Sequence, residues 1–536
     1  MSRFQGVQAL TNNDLFPTLF SVKPTVFCVG RIMKRKLIFS IITFVIIFVF
    51  LELTARLLET SLPSTAKATC HESGWQEKFF ASLFDWHEPD QDLLWRFKAG
   101  LNNPLIKTNS DHLIGDEIKG RKGQRTFRIL LLGDSSPVGI GLKSYMLTFP
   151  EILKYLLGIE CESIRKVEVI NAAVSGYSSE QITRFLELKG WSYKPDLVIL
   201  YCGNNDASIS GPYTDQELLE SQRLKAVRNY LSHLAIYRLL RGILVKQISS
   251  SSDGFLKIRV GLNRFGENLR SIADSCSKHN CWLIILKPPA PYLWPAGLQF
   301  KVFTHITGEN GQALIPNAMT KLLGREIKYC LSDDLFNRLY GWGDKFTRTV
   351  YQSAYMDSLS PIQSIEYYTQ LLKQDTNNPV LLNNLGVSFW ENRQYLMADE
   401  CLRKARKIFV KQQSAEPNPV VTAAGSPFLY NIGINCLFLN GANMSALEDT
   451  NSVVFKYLDS ALQADYFSLR IKRSYWKKID ELKDLPNVVV IDLPHIFRMN
   501  GGDNLFIDHC HPTAEGHLLI AHELCRAVCR AFSKVP

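Results

Sequence analysis

The chain has 536 residues, of which 46% are hydrophobic and 21% charged, with a net charge of +10 at pH 7. That length allows two or three domains of about 100–200 residues each, and that balance excludes disorder as the main state, along with collagen-like, coiled-coil and polytopic membrane classes. Residues 1–36 hold six Lys/Arg against one Asp, so half of the positive excess sits beside one apolar run instead of across a domain face, and nucleic acid is not an expected partner.

That apolar run is Leu37–Leu51, LIFSIITFVIIFVFL, which carries no charge. Extended to Leu53, the stretch 37–53 reaches the length of about 17 residues that spans a thin or tilted bilayer. Arg31, Lys34, Arg35 and Lys36 precede it, so the positive-inside rule puts 1–36 in the cytoplasm and the rest of the chain outside. The expectation is a single-pass signal anchor in the cell membrane. A cleaved signal peptide is a second reading, although Ala66-Lys67-Ala68, its site-like triplet, lies too far past the run. A buried core helix is a third. Met33 directly precedes Lys-Arg-Lys and is a second candidate start.

Residues 61–123 are polar and aromatic with weak periodicity, and read as a lead-in that packs on the domain after it. From 124 onward strands and helices alternate. Phe127–Leu132, Val167–Asn171, Asp196–Tyr201, Trp282–Leu286 and Asn487–Ile491 are short apolar runs that predict buried parallel strands. Ser178 and Gln181 predict a capping box at the start of a helix that Gly190 closes. Further helices are predicted over 262–276 and 512–532, the last with Ala514, Leu518, Ala521, Cys525 and Val528 on its inner face and with Glu515 and His517 exposed. Together these predict an α/β domain with a parallel sheet covered on both faces, formed by 124–290 and 485–536.

Between the fourth and fifth runs lie about 200 residues, too many for a loop, so 291–484 reads as an all-α insertion. In 379–412, Leu382, Leu385, Gly386, Phe389, Ala398, Leu402 and Ala405 follow the spacing of the tetratricopeptide repeat. Gly386 and Ala398 are small enough to let two antiparallel helices approach. Ile362–Gln374 and Phe428–Asn440 read as helices of neighbouring repeats, giving about two to three units with capping helices; an ordinary helical hairpin is the alternative. Ser249–Ser252 reads as a flexible break within a further insertion, 207–255.

Twelve cysteines show no CxxC pair and no metal spacing, so no metal is expected; with no G-x-x-x-x-G-K-S/T or G-x-G-x-x-G run either, no organic cofactor is expected. Cys276 and Cys281 bracket a helix-to-strand turn and can pair in an oxidising compartment.

Four short blocks stand at turns after strands or before the last helix. They are Gly133-Asp134-Ser135-Ser136, Gly176 after the second strand, Gly203-Asn204-Asn205-Asp206 after the third, and Asp508-His509-Cys510-His511-Pro512. The carboxyl ends of parallel strands line one crevice, so the four converge there. A serine hydroxyl needs a base to become a nucleophile. His511, three residues after Asp508, can take the Ser135 proton on Nε2 while Asp508 holds Nδ1–H. The backbone N–H of Ser135 and of Gly176 and the side-chain amide of Asn205 can receive a developing oxyanion. Ser136 is the rival nucleophile and His509 the rival base. Asp134 and Asp206 read as turn and loop organisers, and Cys202 and Cys510 as buried fillers.

These blocks, in this order, resemble the SGNH (GDSL) hydrolase family, named for the four residues that Ser135, Gly176, Asn205 and His511 match; Asp508 matches its Asp-x-x-His block. The resemblance spans about 124–290 and 485–532. It implies a flavodoxin-like three-layer domain and hydrolysis of an acyl ester on a glycan or lipid by a Ser-His-Asp triad. The anchor and the repeat insertion look like bacterial members whose hydrolase domain carries tetratricopeptide repeats, which implies a protein partner for the repeats. Acyl transfer to an envelope polysaccharide, or a repeat scaffold with a vestigial hydrolase domain, are the alternatives. Thr108-Asn-Ser-Asp-His112 departs from the Asn-Ser-x-Gly-Phe-Arg stretch of anchored members in lacking Gly-Phe-Arg.

Overall fold

The computed structural model describes residues 86–118, 122–123, 126–161, 166–211, 213–223, 234–237, 257–297, 327–331, 359–412 and 419–532, with 36, 39–40, 42–44 and 46–56 near the N-terminus. The expected cytoplasmic segment (except 36), the first part of the lead-in (61–85), the break at 249–252 and parts of the insertion lie outside them. The chain divides into two compact units, Met1–Thr69 with Asn229–Leu244 and Cys70–Arg228 with Val245–Pro536.

In the first unit residues 46–56 are helical, with Phe50 and Leu53 exposed. The Glu52 carboxylate accepts the backbone N–H groups of Ala235 and Ile236 at 2.8 and 3.1 Å. Among the described residues no helix is long and apolar enough to cross a membrane; the expected span 37–53 is described only in part.

The second unit begins with an antiparallel ribbon, β1 (His87–Asp90) and β2 (Leu94–Phe97). Five parallel strands follow in the order β4-β3-β5-β8-β9, where β3 is Thr126–Gly133, β4 Lys166–Asn171, β5 Leu197–Tyr201, β8 Trp282–Leu286 and β9 Val488–Ile491. A short ribbon of β6 (Ile209–Gly211) and β7 (Lys257–Ile258) stands apart from the sheet. The five apolar runs are the five strands. Their continuity has a simple cause: a parallel sheet is covered on both faces, and Ile129, Leu130, Val198, Ile199 and Leu283 are all 0% exposed.

The helices among and after these strands are α1 (Ser135–Val138), α2 (Phe149–Glu160), α3 (Ser179–Leu188), α4 (Asp215–Arg223) and α5 (Leu262–Lys278). The start of α3 is fixed as expected, since Gln181 Oε1 accepts the Ser178 N–H at 3.0 Å. It ends at Leu188, and Gly190 opens a separate 3₁₀ turn.

The described part of the insertion is mainly helical, with non-helical stretches that include 291–297, 327–331 and 465–472. It holds α6 (Pro361–Gln374), α7 (Pro379–Glu391), α8 (Tyr395–Gln412), α9 (Pro419–Ala424), α10 (Ser426–Leu439) and α11 (Val453–Ala464), followed by α12 (Arg473–Asp480). Two pairs, α7 with α8 and α10 with α11, pack on the same plan. A Cβ on Gly386 would lie 2.8 Å from Leu402 Cγ, and one on Gly433 2.7 Å from Leu458 Cγ. In each pair a glycine lets a leucine of the second helix reach the backbone of the first.

After β9 come α13 (Leu493–Met499) and the long last helix α14 (Ala514–Phe532), which packs on α2. Its inner face departs from the expectation. Leu518 is 44% exposed, whereas His517, Ile520, Ala521 and Leu524 are 0% exposed. The helix is rotated so that His517 points inward, where its Nδ1 accepts the Phe149 N–H at 3.1 Å. Burial drives its pKa down to about 3, so it serves there as a neutral acceptor. Glu515 is exposed as expected. Cys276 and Cys281 are free thiols, like all the described cysteines.

An extended segment, 327–331, lies among these helices and is clamped by asparagines. Asn384 Oδ1 accepts the Lys328 N–H at 2.9 Å, and Asn383 and Asn431 each donate to the Lys328 carbonyl, at 3.0 and 2.9 Å. Asn431 Oδ1 also accepts the Cys330 N–H at 2.8 Å. All three amides are buried. A buried backbone group that loses its partner costs about 1–3 kcal/mol. Asn431→Leu is therefore expected to destabilise the chain by about 2–4 kcal/mol in urea denaturation, against less than about 0.5 kcal/mol for Asn451→Ala on the surface.

Candidate active site

β3 ends at Gly133, and Asp134 caps the single turn α1, accepting the Ser136 N–H on Oδ1 at 2.9 Å. Ser135 thus occupies the first helical position at the carboxyl end of a central strand. Far along the chain, Ile507 N–H donates to the His511 carbonyl at 2.8 Å and closes the loop 507–511 just before α14. Within it, Asp508 Oδ1 accepts the N–H groups of Cys510 and His511, both at 2.9 Å. Its other oxygen, Oδ2, meets His511 Nδ1 at 2.7 Å. His511 Nε2 lies 2.8 Å from Ser135 Oγ, across 376 residues of sequence.

Burial disfavours both charges of the Asp508–His511 pair, but their mutual attraction outweighs it. Against that burial, the imidazole and the hydrogen bonds hold the Asp508 carboxyl well below the usual carboxylate range. The Asp508 carboxylate likewise raises the His511 imidazole well above its ordinary 6.5.

The rivals are placed elsewhere. Ser136 Oγ donates to the Cys510 carbonyl at 3.4 Å. His509 stands beside the Trp294 ring, centroids 5.7 Å apart, with its Nδ1 3.6 Å from Asp508 Oδ1. Cys202 and Cys510 are buried, and burial pushes the Cys510 thiol up to about 12. The side chains of Asp508, His509 and Cys510 bring ligand-type atoms within 4.8 Å of one another. Asp508 is already committed, through Oδ2 to His511 Nδ1 and through Oδ1 to the N–H groups of Cys510 and His511.

Gly176 and Asn205 are brought to the same end of the sheet. Val174 N–H donates to the Gly133 carbonyl at 3.1 Å, which seats the Gly176 turn beside the Ser135 turn. Gly176 has φ +82°, a left-handed conformation that suits glycine. Asn205 is 3% exposed and donates one amide N–H to the Tyr177 carbonyl at 3.0 Å, which leaves its second amide hydrogen for another acceptor. Gly203 is required by space, since its φ is +124° and a Cβ would sit 2.4 Å from Ile471 Cδ1. Asp206 accepts the Ser179 N–H at 2.9 Å, and burial pushes its carboxyl up to about 7; it organises the loop, as expected. Asp134 is likewise pushed up to about 6 by burial.

Two residues outside the four blocks also reach the Gly176 turn. Trp95 Nε1 donates to the Ser175 carbonyl at 2.9 Å, and Arg259 Nη2 to the Gly176 carbonyl at 2.7 Å. Neither carried a signal in the sequence beyond the aromatic bias of the lead-in.

Residues 129–280 match the family model of the GDSL-like Lipase/Acylhydrolase. The chain contains a GDSL-like hydrolase domain. Lipases and acylhydrolases act on ester bonds, and that is the class of chemistry this domain carries. The match includes Ser135, Gly176 and Asn205 and stops short of β8, so Asp508 and His511 enter from beyond the insertion. Similar solved structures include TesA, at 19% identity and a TM-score of 0.19, covering 31% of this chain and 62% of that one. Another is a lipase/acylhydrolase from Enterococcus faecalis, at 20% identity and 0.19, covering 31% and 58%. A third is a catalytic mutant of Axe2, an acetylxylan esterase from Geobacillus stearothermophilus, at 14% identity and 0.20, covering 32% and 62%. This chain thus spans about three-fifths of the length of those structures. No curated protein sequence matches it.

The elevated His511 pKa sets a pH dependence. Only the neutral imidazole can take a proton, so kcat/KM for an ester such as p-nitrophenyl acetate is expected to fall as pH drops through a midpoint above 6.5. Asp508→Asn removes the charge that raises this midpoint; it should move the limb to lower pH and slow turnover by roughly a thousandfold or more. A parent midpoint at or below the ordinary imidazole value contradicts the ion-pair account.

Proposed function

We propose that the chain is a membrane-anchored serine esterase of GDSL type whose catalytic domain lies outside the cytoplasm and removes an ester-linked acyl group from a glycan or a lipid. The observation that carries this reading is the continuous Ser135–His511–Asp508 contact, at 2.8 and 2.7 Å. Ser135 Oγ attacks the ester carbonyl carbon while its proton passes to His511 Nε2. Asp508 keeps the imidazole in the tautomer that presents Nε2 and stabilises the imidazolium. The carbonyl oxygen becomes an oxyanion, received by the N–H groups of Ser135 and Gly176 and the free amide hydrogen of Asn205. One such donor is worth roughly 3–4 kcal/mol of barrier. Collapse breaks the ester C–O bond, and the leaving alcohol takes the proton back from His511. Water then attacks the acyl-serine, again giving its proton to His511, and the acid leaves as the Ser135 hydroxyl re-forms.

Anchoring through 37–53, with 1–36 in the cytoplasm, belongs to the proposal; the uncharged run and the basic residues before it support this. The paired helices α7–α8 and α10–α11 are proposed as tetratricopeptide-like repeats that bind a protein partner. The repeated glycine-on-leucine contacts of Gly386 and Gly433 support that assignment.

The test is ester turnover by the full-length chain and its serine variants, followed as release of p-nitrophenolate. Ser135→Ala is expected to lower turnover at least about a thousandfold, and Ser136→Ala to stay within about tenfold of the parent. Equal activity in the parent and in Ser135→Ala would remove the reading. Repeating the assay with an acceptor sugar separates hydrolysis from transfer: product acylated on the sugar in place of free acid marks a transferase.

A further inference from the structure

Three consecutive carbonyl oxygens in the turn that carries Gly176 are each engaged by a side chain from a different part of the chain. Trp95 Nε1 donates to Ser175 O at 2.9 Å, Arg259 Nη2 to Gly176 O at 2.7 Å, and Asn205 Nδ2 to Tyr177 O at 3.0 Å. We propose that Trp95 and Arg259 are positioning residues for ester cleavage, holding and polarising the Gly176 N–H as an oxyanion donor through the backbone of residues 175–177. This rests on the role proposed above for Gly176.

The physical argument starts from the peptide plane. The Ser175 carbonyl and the Gly176 N–H belong to one planar unit and point in opposite directions. A donor fixed on the carbonyl end therefore fixes the direction of the N–H end. It also polarises the unit, because successive hydrogen bonds through a peptide strengthen one another. Trp95 supplies that donor. Its own position is secured by the turn it serves, since the Tyr177 hydroxyl donates to the Trp95 carbonyl at 2.7 Å. The two rings meet edge to face, with centroids 5.9 Å apart.

The second peptide of the turn needs a different hold. Gly176 has two soft dihedrals and no side chain to pack, so the next peptide, which bears its carbonyl, could swing and pull the turn out of place. Arg259 closes that freedom with a charged donor, the shorter and stronger kind of hydrogen bond. The guanidinium is itself fixed. Asp215 accepts from Nε at 3.1 Å and from Nη2 at 2.8 Å. The two side chains are 4% and 3% exposed. Burying such a pair contributes little net stability. What it supplies here is a rigid donor that water cannot replace. Trp95 comes from β2 in the lead-in, and Arg259 directly follows β7, just past the insertion 207–255. Both segments thus bear on the same turn.

The experiment uses the full-length chain with p-nitrophenyl acetate as substrate and a boronic acid as the analogue, which becomes a tetrahedral anion on Ser135. Trp95→Phe keeps an aromatic ring, smaller than the indole, and removes the N–H. It is expected to lower kcat about 10–100-fold with KM within about twofold, and to weaken boronic acid binding by the same factor as kcat. Arg259→Met should show the same pattern, and Arg259→Lys should recover part of it. Trp191→Phe is the control for loss of an indole donor elsewhere, since Trp191 Nε1 donates to Ser275 Oγ at 3.0 Å; it should leave kcat unchanged. If folded Trp95→Phe keeps kcat and boronic acid affinity within about twofold of the parent, the positioning proposal fails, while Ser135-dependent turnover leaves the esterase reading standing. If the parent shows no Ser135-dependent turnover, the reading beneath the proposal fails and takes it along. Should Arg259→Met not fold, Trp95→Phe alone decides.

Discussion

The site depends on one buried ionic contact, Asp508 with His511, delivered to Ser135 from the far end of the chain. Two charges of opposite sign in a dry place are costly apart and tolerable only together. Here the loop 507–511 supplies the missing solvation. Its own N–H groups at Cys510 and His511 bind one oxygen of Asp508, leaving the other oxygen for the imidazole. The loop is placed by what flanks it. β9 pairs with β8 at the edge of the sheet, and α14 packs on α2 through the inward His517. Shifting either element would draw Nε2 away from Ser135 Oγ, and a further tie, from Ser136 Oγ to the Cys510 carbonyl at 3.4 Å, joins the loop to the Ser135 turn.

The excursion between β8 and β9 is bound back to the same crevice at several points. Ile471 N–H donates to Asn204 Oδ1 at 3.1 Å, next to Asn205. Arg470 donates to the carbonyls of Pro291 and Trp294 at 2.9 and 3.3 Å, in the stretch after β8. Asp465 pairs with the same guanidinium at 2.7 Å, both side chains at 1% exposure or less. Burial meanwhile lowers Lys472 to about 7. These contacts make the end of the insertion part of the wall behind the third block, as the clash that a side chain at Gly203 would meet with Ile471 also shows. The helical insertion and the sheet therefore share one core.

Much of this was legible in the sequence for identifiable reasons. A parallel strand buried on both faces must be apolar throughout, so runs such as Phe127–Leu132 announce themselves. Turns that bear catalytic groups need small or polar residues directly after such runs, and Gly133, Gly176 and Gly203 supply them. The helices α7 and α8 were visible because Gly386 and Ala398 are small enough to let them approach. What escaped has no period. Trp95, Arg259 and the asparagine clamp on 327–331 act through hydrogen bonds to backbone groups far away in sequence, and nothing in the local pattern marks them. The face of α14 was misread because Leu518 looks like core and His517 like surface. Their roles are reversed because a neutral imidazole was needed to accept the Phe149 N–H.

The central claim is that folding brings His511 to Ser135 and to no other hydroxyl. The most direct measurement is treatment of the folded full-length chain with a fluorophosphonate, followed by peptide mapping of the adduct by mass spectrometry. The account predicts one stoichiometric adduct on Ser135, absent after heat denaturation. An adduct on Ser136 or on another serine, or none on a chain shown to be folded, would contradict it.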